Sequence, residues 1–414
     1  MPADRVTADA QDLFERGFQS LSARDFREAV ECFTRAIRLR PDVAAGYRYR
    51  ALAYLELGQR TDALNDLDQA VRRKPDDAVL FADRARILFR QKSYDAAIAD
   101  CDKALSLDAG LAPVYGLRGD CYAAKGSTDK ALADFQAAIA NDPDHAADYL
   151  LSRAYLHLDL ENYAACVADC TAAINLNPTL AAAYQTRGLA HRDLGETDAA
   201  EADFSECIRL DDTLTLARLA RATVRMGNNA FAEAVADCDE VIRQNPGIAK
   251  GYEIRGMARR QLGDLDGALA DYTDAIRLVP TNPLAYNLRA GVHYAKKQYR
   301  QAVQDHLEAL KRDPKSAATF NQLGWIWATA PDPDVRNGTR AKECATRACE
   351  LTEWQEPGYL DTLAAAAAEC GEFSAAVKWQ EKAMALAKPE MEDDYRSRLV
   401  QYKAGKPARA TPAV

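Results

Sequence analysis

Small and large apolar residues recur along this chain in one repeating order, separated by polar positions. Tyr47, Ala51 and Tyr54 are spaced four and three apart, so they fall on one face of a helix. A second face with the same spacing follows and consists of Ala63, Leu67 and Ala70. Gly58 separates the two groups, and Pro75 closes the unit because proline cannot continue a helix. The pattern predicts a helical hairpin.

The unit repeats with a period of about 34 residues. The prolines that close it stand 34, 68, 35, 68, 34 and 34 residues apart, at Pro41, Pro75, Pro143, Pro178, Pro246, Pro280 and Pro314. Each gap of 68 contains one repeat whose proline is replaced, at Ala109 and at Asp212. A fixed period in this range is typical of a stacked solenoid, in which each hairpin covers the apolar face of its neighbour.

These residues carry a resemblance to the tetratricopeptide repeat family, which has this 34-residue helix-turn-helix pattern. By register, eleven repeats begin at Ala10, Ala44, Ala78, Ala112, Ala147, Ala181, Thr215, Ala249, Pro283, Ala317 and Pro357. The resemblance implies an all-α, right-handed superhelical solenoid whose concave groove, lined mainly by first helices, holds peptides or partner helices. It also implies a bacterial type, because residues 327–373 resemble a C-terminal segment of many bacterial tetratricopeptide proteins of unassigned function.

The predicted organisation has four parts. Residues 1–9 form an N-terminal tail, and residues 10–390 form the repeat solenoid. Residues 391–403 form a capping helix with a polar outer face, which a solenoid needs for solubility. Residues 404–414 have no apolar periodicity, which predicts a disordered tail.

Arginine and aspartate recur in phase with the repeat. The residue before the small one in each first helix is Arg16, Arg50, Arg84, Arg118, Arg153, Arg187, Arg221, Arg255 and Arg289. Second helices carry Asp66, Asp100, Asp134, Asp169, Asp203, Asp237, Asp271 and Asp305. The phase predicts a structural ladder of ion pairs and leaves its scheme open: pairing within a repeat, pairing to the following repeat, or an arginine fork that bridges both carboxylates.

The tenth repeat departs from the pattern in its turn, where the polar loop 331–339 adds about five residues. Two interpretations remain open. A longer turn is usually a tolerated surface insertion. A partner contact is the alternative, because Trp325, Trp327 and Trp354 cluster here and tryptophan is favoured at binding hot spots.

The family geometry predicts which side chains face the groove. The candidate partner-binding residues are Arg48, Leu52, Arg86, Phe89, Tyr155, Leu189, Leu216, Leu219, Met226, Met257, Asn287, Tyr294, Asn321 and Trp325. This mixture of apolar, aromatic, guanidinium and amide groups suits an amphipathic helix or an extended peptide. Leu216, Leu219, Thr223 and Met226 form the least charged stretch and are predicted to contribute the anchor of the groove, with Leu219 projecting into it.

Composition narrows the function classes. A net charge of −9 argues against nucleic acid as the main partner, and no apolar run is long enough for a membrane span. The ten cysteines fall on small apolar positions, which predicts that they pack in the core of a protein in a reducing compartment. The alternative, a thiolate metal site at Cys166 and Cys170, is disfavoured. The N-terminus has no signal-peptide pattern, so a cytoplasmic location is expected.

No catalytic, metal or cofactor site is predicted, because the five histidines are scattered over five repeats and no phosphate-binding glycine loop occurs. The favoured function is a non-catalytic scaffold that binds a protein or peptide partner. The alternative is a regulatory or assembly subunit of a larger enzyme or secretion complex. The residues indicate neither the partner's identity nor the oligomeric state.

Overall fold

The computed structural model describes residues 3–409. These residues form α-helices and two short 3₁₀ turns, Pro143–His145 and Pro389–Met391, with no strand among them. The predicted all-α helical repeat solenoid is therefore confirmed. The helices belong to two compact units, divided in the sequence between Leu210 and Asp211.

Unit 1 consists of six helical hairpins. Its helices are α1 (Ala3–Ser22), α2 (Phe26–Leu39), α3 (Ala44–Glu56), α4 (Arg60–Arg73), α5 (Ala78–Arg90), α6 (Tyr94–Leu107), α7 (Ala112–Ala124), α8 (Thr128–Asn141), α9 (Ala146–Asp159), α10 (Tyr163–Leu176), α11 (Ala181–Asp193) and α12 (Thr197–Leu210). In each hairpin the odd-numbered first helix packs against the even-numbered second helix. The second helices α2, α4, α6, α8 and α10 also pack against the next hairpin.

Unit 2 consists of five hairpins and one further helix. Its helices are α13 (Thr215–Gly227), α14 (Phe231–Gln244), α15 (Ala249–Gln261), α16 (Leu265–Leu278), α17 (Pro283–Ala295), α18 (Tyr299–Arg312), α19 (Ala317–Thr329), α20 (Gly338–Leu351), α21 (Pro357–Glu369), α22 (Phe373–Leu386) and α23 (Glu392–Lys403). Helix α23 packs on α22.

The turn inside each hairpin, apart from the longer turn between α19 and α20, contains a left-handed backbone residue. Gly58 supplies it between α3 and α4 with φ of 75°, a conformation that costs glycine little because it has no Cβ. Lys92 and Lys297 adopt φ near 60° at the equivalent turns, so the repeat geometry imposes this conformation even where glycine is absent.

The two helices of a hairpin cross where a small residue meets a side chain sixteen positions later. Where the small residue is glycine, its partner is an aromatic ring, except in the tenth repeat, where Gly324 faces the backbone of Ala341 and Ala345. These pairs are Gly17 with Phe33, Gly119 with Phe135, Gly188 with Phe204 and Gly256 with Tyr272. A Cβ on Gly188 would lie 2.8 Å from Cε1 of Phe204, which is too close for van der Waals contact. Where the small residue is alanine, the buried residue sixteen positions later is a smaller side chain, such as Leu67 after Ala51 or Cys170 after Ala154.

The arginine–aspartate ladder pairs within each repeat. The pairs are Arg50–Asp66, Arg84–Asp100, Arg118–Asp134, Arg153–Asp169, Arg187–Asp203, Arg221–Asp237, Arg255–Asp271 and Arg289–Asp305. Nε and Nη2 of Arg187 donate to the two oxygens of Asp203 at 2.9 and 2.7 Å. These hydrogen bonds raise the pKa of the Arg187 guanidinium. The aspartates are buried, whereas Arg16 pairs with an exposed Glu28 at 3.2 Å.

Arg84 and Arg187 also reach the preceding repeat through a residue outside the predicted ladder. Nη1 of Arg187 donates to Thr171 Oγ1 at 3.0 Å, and Nη1 of Arg84 donates to Asp68 at 2.8 Å. The fork is therefore real, but its second partner is not the phased aspartate of a neighbouring repeat. Arg84 and Arg187 each tie their own hairpin to the one before it.

Both predicted tails differ from the structure in their described parts. Helix α1 begins at Ala3, inside the stretch 1–9, because no glycine or proline interrupts the helix before Ala10. At the other end Ala408 is 4% exposed and packs against α21 and α22, and Arg409 Nη1 lies 2.6 Å from Glu369 Oε2. Disorder at residues 404–409 was thus a wrong prediction, because one buried methyl group and one ion pair hold this stretch. Residues 410–414 lie outside the described part of the chain.

Candidate functional site

First helices form the inner layer of each unit. In unit 1, α5, α7, α9 and α11 each contact the first helix of the adjoining repeat. In unit 2 the corresponding contacts join α13 to α15, α15 to α17 and α19 to α21. The first helices of each unit therefore lie side by side on one face of it. We call this side of each unit its inner face.

The candidate groove residues differ in how far they reach solvent. Arg86, Tyr155 and Leu216 are exposed, and Leu216 is 69% exposed. Ten others are half-buried: Arg48, Leu52, Phe89, Leu189, Met226, Met257, Asn287, Tyr294, Asn321 and Trp325. Leu219 is only 9% exposed and packs between helices with Val241 and Ile254. The prediction that Leu219 projects into the groove is wrong, because α14 and α15 enclose that side of α13.

Some polar inner-face residues already have partners within the fold. Nε of Arg48 on α3 donates to Asp83 on α5 at 2.6 Å, so this arginine links two first helices. Asn287 on α17 donates from Nδ2 to Thr319 Oγ1 at 2.9 Å and accepts at Oδ1 from His306 Nδ1–H at 2.8 Å. These contacts hold neighbouring repeats together and reduce what Arg48 and Asn287 can offer a partner.

The buried His306 makes unit 2 sensitive to acid. Burial lowers the pKa of His306 from 6.5 to about 4, although Asp305 opposes the shift. Below pH 6.5 the unfolded chain takes up a proton that the folded chain resists until about pH 4. The free energy of unfolding should therefore fall by about 3 kcal/mol across this window, at about 1.36 kcal/mol for each pKa unit.

Urea titrations of wild type and His306→Leu between these pH values test this expectation. His306 follows Ala290 by sixteen residues, as Leu67 follows Ala51. Leucine at position 306 therefore recreates the natural pair of Ala51 and Leu67. The variant should lose much less stability than wild type as the pH falls. His145→Gln, a change at an exposed histidine, should keep most of the wild-type slope. Parallel slopes for wild type and His306→Leu would contradict the assignment.

A recess in unit 2 brings together three of the predicted groove residues. Tyr294, Asn321 and Trp325 line it with residues of α21 and α23, around a cavity of about 370 Å³. Trp325 Nε1 donates to Tyr294 Oη at 3.2 Å, which fixes the two rings against each other. A second cavity of about 230 Å³ shares Tyr294 and Trp325 and extends towards Ala408 and Arg409.

Charged groups of α21 and α23 complete the recess. Asp361 Oδ1 accepts from Arg398 Nε at 2.7 Å and from Gln380 Nε2 at 2.8 Å. Burial raises the pKa of Asp361, against the opposing effect of Arg398. Asp394 lies on the rim and is exposed. The recess therefore holds two carboxylates and one guanidinium.

The sequence prediction missed the contribution of α21 and α23 to this recess. Asp361 has the same offset from its helix start as Asn321 and Asn287, so the repeat register carried a signal for it. The sequence contains no comparable signal for Arg398 or Asp394, because α23 lies outside the repeat register and its pattern predicts only a capping helix. Their position follows from how α23 packs, which the repeat pattern does not specify.

Comparisons with known proteins follow the same register. Models described as tetratricopeptide repeat match residues 21–61, 50–112, 112–145, 147–180, 181–213 and 358–388, and a model described as TPR repeat matches residues 256–297. Together they cover more than half of the chain. The chain belongs to the tetratricopeptide repeat family. Members of this family are generally non-catalytic, and the fold is typical of scaffolds for interactions between proteins.

Individual relatives of this tetratricopeptide repeat protein are distant. Small glutamine-rich tetratricopeptide repeat-containing protein 2 of Mycosarcoma maydis is 34% identical over 65 residues, which span 16% of this chain and only 18% of that relative. A tetratricopeptide repeat structure from Parabacteroides merdae ATCC 43184 is 21% identical, covers 60% of this chain and 98% of its own, and gives a TM-score of 0.45. The structure of yeast Tom70 is 15% identical, covers 95% of this chain and 96% of its own, and gives a TM-score of 0.42.

The irregular tenth repeat of this tetratricopeptide protein is tied into unit 2. Val335 in the loop 331–339 is buried, and Arg336 Nε donates to Glu369 at 2.9 Å. Trp327 is buried under α20, and Trp354 stacks on Trp379 with ring centroids 5.3 Å apart. Of the three clustered tryptophans, Trp325 is the one that lines the recess.

The cysteines of the tetratricopeptide stack are free, and eight of the ten are buried. Burial raises the pKa of Cys101 and Cys238 to about 12, which keeps these thiols protonated and inert. Within residues 3–409, no group of His, Cys, Asp and Glu side chains is arranged to hold a metal ion. The helices of the same range include none with the length and hydropathy of a membrane span.

Proposed function

We propose that this tetratricopeptide repeat protein is a non-catalytic scaffold that binds a peptide or a helix of a partner protein along its inner face. The observation that carries the proposal is Leu216, the most exposed large apolar side chain among the described residues. Leu216 is the second residue of α13, and Val79 and Leu284 are exposed at the same position of α5 and α17. Apolar side chains that face solvent in a repeating position suit the anchors of an amphipathic segment.

Tyr155 and Arg86 support the same function in unit 1. Tyr155 on α9 is 45% exposed, and Arg86 on α5 is exposed and has no ion pair within the described residues. Tyrosine and arginine are enriched at interface hot spots, because each combines a large contact area with directed hydrogen bonds. The inner face thus offers apolar anchors and unpaired donors together.

The histidines favour binding over catalysis. His145, His191 and His293 each contact a polar residue within five positions, at Asp142, Glu196 and Gln298 respectively. His306 contacts Asn287, and His157 Nε2 lies 3.8 Å from Asp169. Each ring is held by its own or the adjoining helix, so these histidines do not converge on a nucleophile or a substrate position.

The proposal also includes where the protein acts. The cysteines are free, and free thiols are typical of a reducing compartment, which supports a cytoplasmic scaffold. The resemblance of residues 327–373 to a segment of bacterial tetratricopeptide proteins supports a bacterial type.

Capture of partners by wild type, Leu216→Asp and Leu176→Asp tests the function. Leu176, at the end of the second helix α10, is 57% exposed, so it provides a matched change away from the first helices. Leu216→Asp should reduce the retained partner about tenfold or more, since buried apolar anchors carry most interface energy. Aspartate in the first turn of a helix suits the helix dipole, so helix content should stay unchanged.

The measurement is the amount of each co-purifying protein, normalised to the tagged chain, with circular dichroism as the folding control. If Leu216→Asp and Leu176→Asp retain their partners equally, partners do not bind the inner face of unit 2. Tyr155→Asp applies the same test to unit 1.

A further inference from the structure

The recess in unit 2 contains an acceptor that the protein itself leaves unused. Asn321 Oδ1 is buried and has no hydrogen-bond partner among the described residues. Asn287, at the same offset in the preceding repeat, uses both ends of its amide within the fold. An unsatisfied buried oxygen costs about 1–3 kcal/mol. Asn321 also lines the cavity, so a donor that enters the cavity satisfies this oxygen once the amide turns towards it.

The charge of the recess favours a cation. Arg398 and Asp361 neutralise each other at 2.7 Å. Asp394 also lines the cavity, and no Lys, Arg or His of the described chain lies within ion-pair distance of it. The lining therefore carries one uncompensated negative charge, beside an amide oxygen that needs a donor.

The aromatic walls favour a planar cation. The guanidinium carbon of Arg398 lies 5.5 Å from the ring centroid of Trp325 and 5.3 Å from that of Tyr395. The same walls thus already hold one guanidinium group, from the protein's own α23. Arginine stacks on aromatic faces and directs five N–H donors, whereas the lysine ammonium is more strongly hydrated.

We infer that this recess recognises an arginine side chain of the partner protein, an inference that rests on the proposed function. The guanidinium donates to the Asp394 carboxylate and, after the Asn321 amide turns towards the cavity, to Asn321 Oδ1, and its plane lies against Trp325 and Tyr294. A cavity of about 370 Å³ is at the small end of the range for ligand sites, which suits a single side chain.

The test uses the full-length protein and two matched peptides, acetyl-Gly-Arg-Gly-amide and acetyl-Gly-citrulline-Gly-amide. Citrulline has nearly the same shape as arginine and lacks the charge. The readout is the indole N–H signal of Trp325 in proton–nitrogen NMR spectra, one of four indole signals, assigned with Trp325→Phe. The arginine peptide should shift this signal in a saturable manner, and the citrulline peptide should not.

Asp394→Asn should weaken binding of the arginine peptide about tenfold or more, because the acceptor loses its negative charge and the hydrogen bond is no longer charge-assisted. Asp393→Asn is the matched control: Asp393 is 101% exposed, lies outside the recess and should leave binding unchanged. Asn321→Leu removes the unused acceptor and should also weaken binding. Equal shifts with both peptides, no shift with either, or equal losses in the two aspartate variants would overturn the inference.

The two proposals fail separately. If the arginine peptide does not bind while Leu216→Asp still releases captured partners, only the arginine recess is wrong. If the peptide binds while Leu216→Asp and Tyr155→Asp retain every partner, the recess stands and the inner-face scaffold is wrong.

Discussion

Gly188→Leu is expected to lower the free energy of unfolding of unit 1 by about 3 kcal/mol or more. The ring of Phe204 is fully buried and already lies 2.8 Å from where a Cβ would be. Helix α11 cannot move away freely, because it also packs against α9 and α10. The gain from replacing glycine inside a helix, about 0.5–1 kcal/mol, is too small to offset this overlap. Urea unfolding followed by circular dichroism measures the change.

A double-mutant cycle shows whether the ring is the cause. Gly188→Ala should cost about 1–3 kcal/mol, and Phe204→Cys should cost several through the cavity it leaves. Combined, the two changes reproduce the pair Ala154 and Cys170 of the preceding repeat. The double variant should therefore be more stable than the sum of the single changes by at least about 1 kcal/mol. Additive effects would show that Gly188 and Phe204 are not coupled.

Arg187→Met should destabilise unit 1 by about 3–5 kcal/mol, because it leaves Asp203 buried without its partner. Asp203 is 5% exposed, and both of its oxygens accept from Arg187. Asp203→Asn should cost less, since the guanidinium that remains still reaches solvent and Thr171. Replacing both with Met and Leu should recover much of the loss, because no charge is then stranded.

Arg16→Met provides the matched control for the ladder. Arg16 occupies the same repeat position but pairs with Glu28 at an exposed site, where an ion pair contributes only about 0–1 kcal/mol. A loss of stability in Arg187→Met no larger than in Arg16→Met would mean that the buried pairs do not stabilise the stack.

The periodicity predicted the all-α solenoid, because helix faces such as Tyr47, Ala51 and Tyr54 are determined by neighbours in the sequence. The ladder was also visible, since Arg187 and Asp203 recur in phase. The second partners of the arginines, such as Thr171 and Asp68, were not visible in the sequence. Threonine and aspartate are common on helix surfaces, and their contact depends on where an arginine side chain points.

The parts that escaped prediction depend on contacts between elements that the repeat does not specify. Leu219 and Leu216 lie three residues apart on α13, yet packing of α14 and α15 buries one and exposes the other. The recess around Trp325 needs Arg398, which reaches Asp361 across 37 residues of sequence. Helical register predicts the direction of a side chain relative to its own helix, and it does not predict which later helix covers it.

The size match between Gly188 and Phe204, or between Ala154 and Cys170, has a consequence for how such a gene can change its length. An unequal crossover that adds or removes a whole hairpin keeps each small residue with the ring or thiol it fits. A crossover in the turn between the two helices joins the first helix of one hairpin to the second helix of another. When the two hairpins differ in kind, an alanine in the first helix then meets an aromatic ring in the second. Changes in repeat number are therefore best tolerated when the breakpoints lie near the closing prolines, between one repeat and the next.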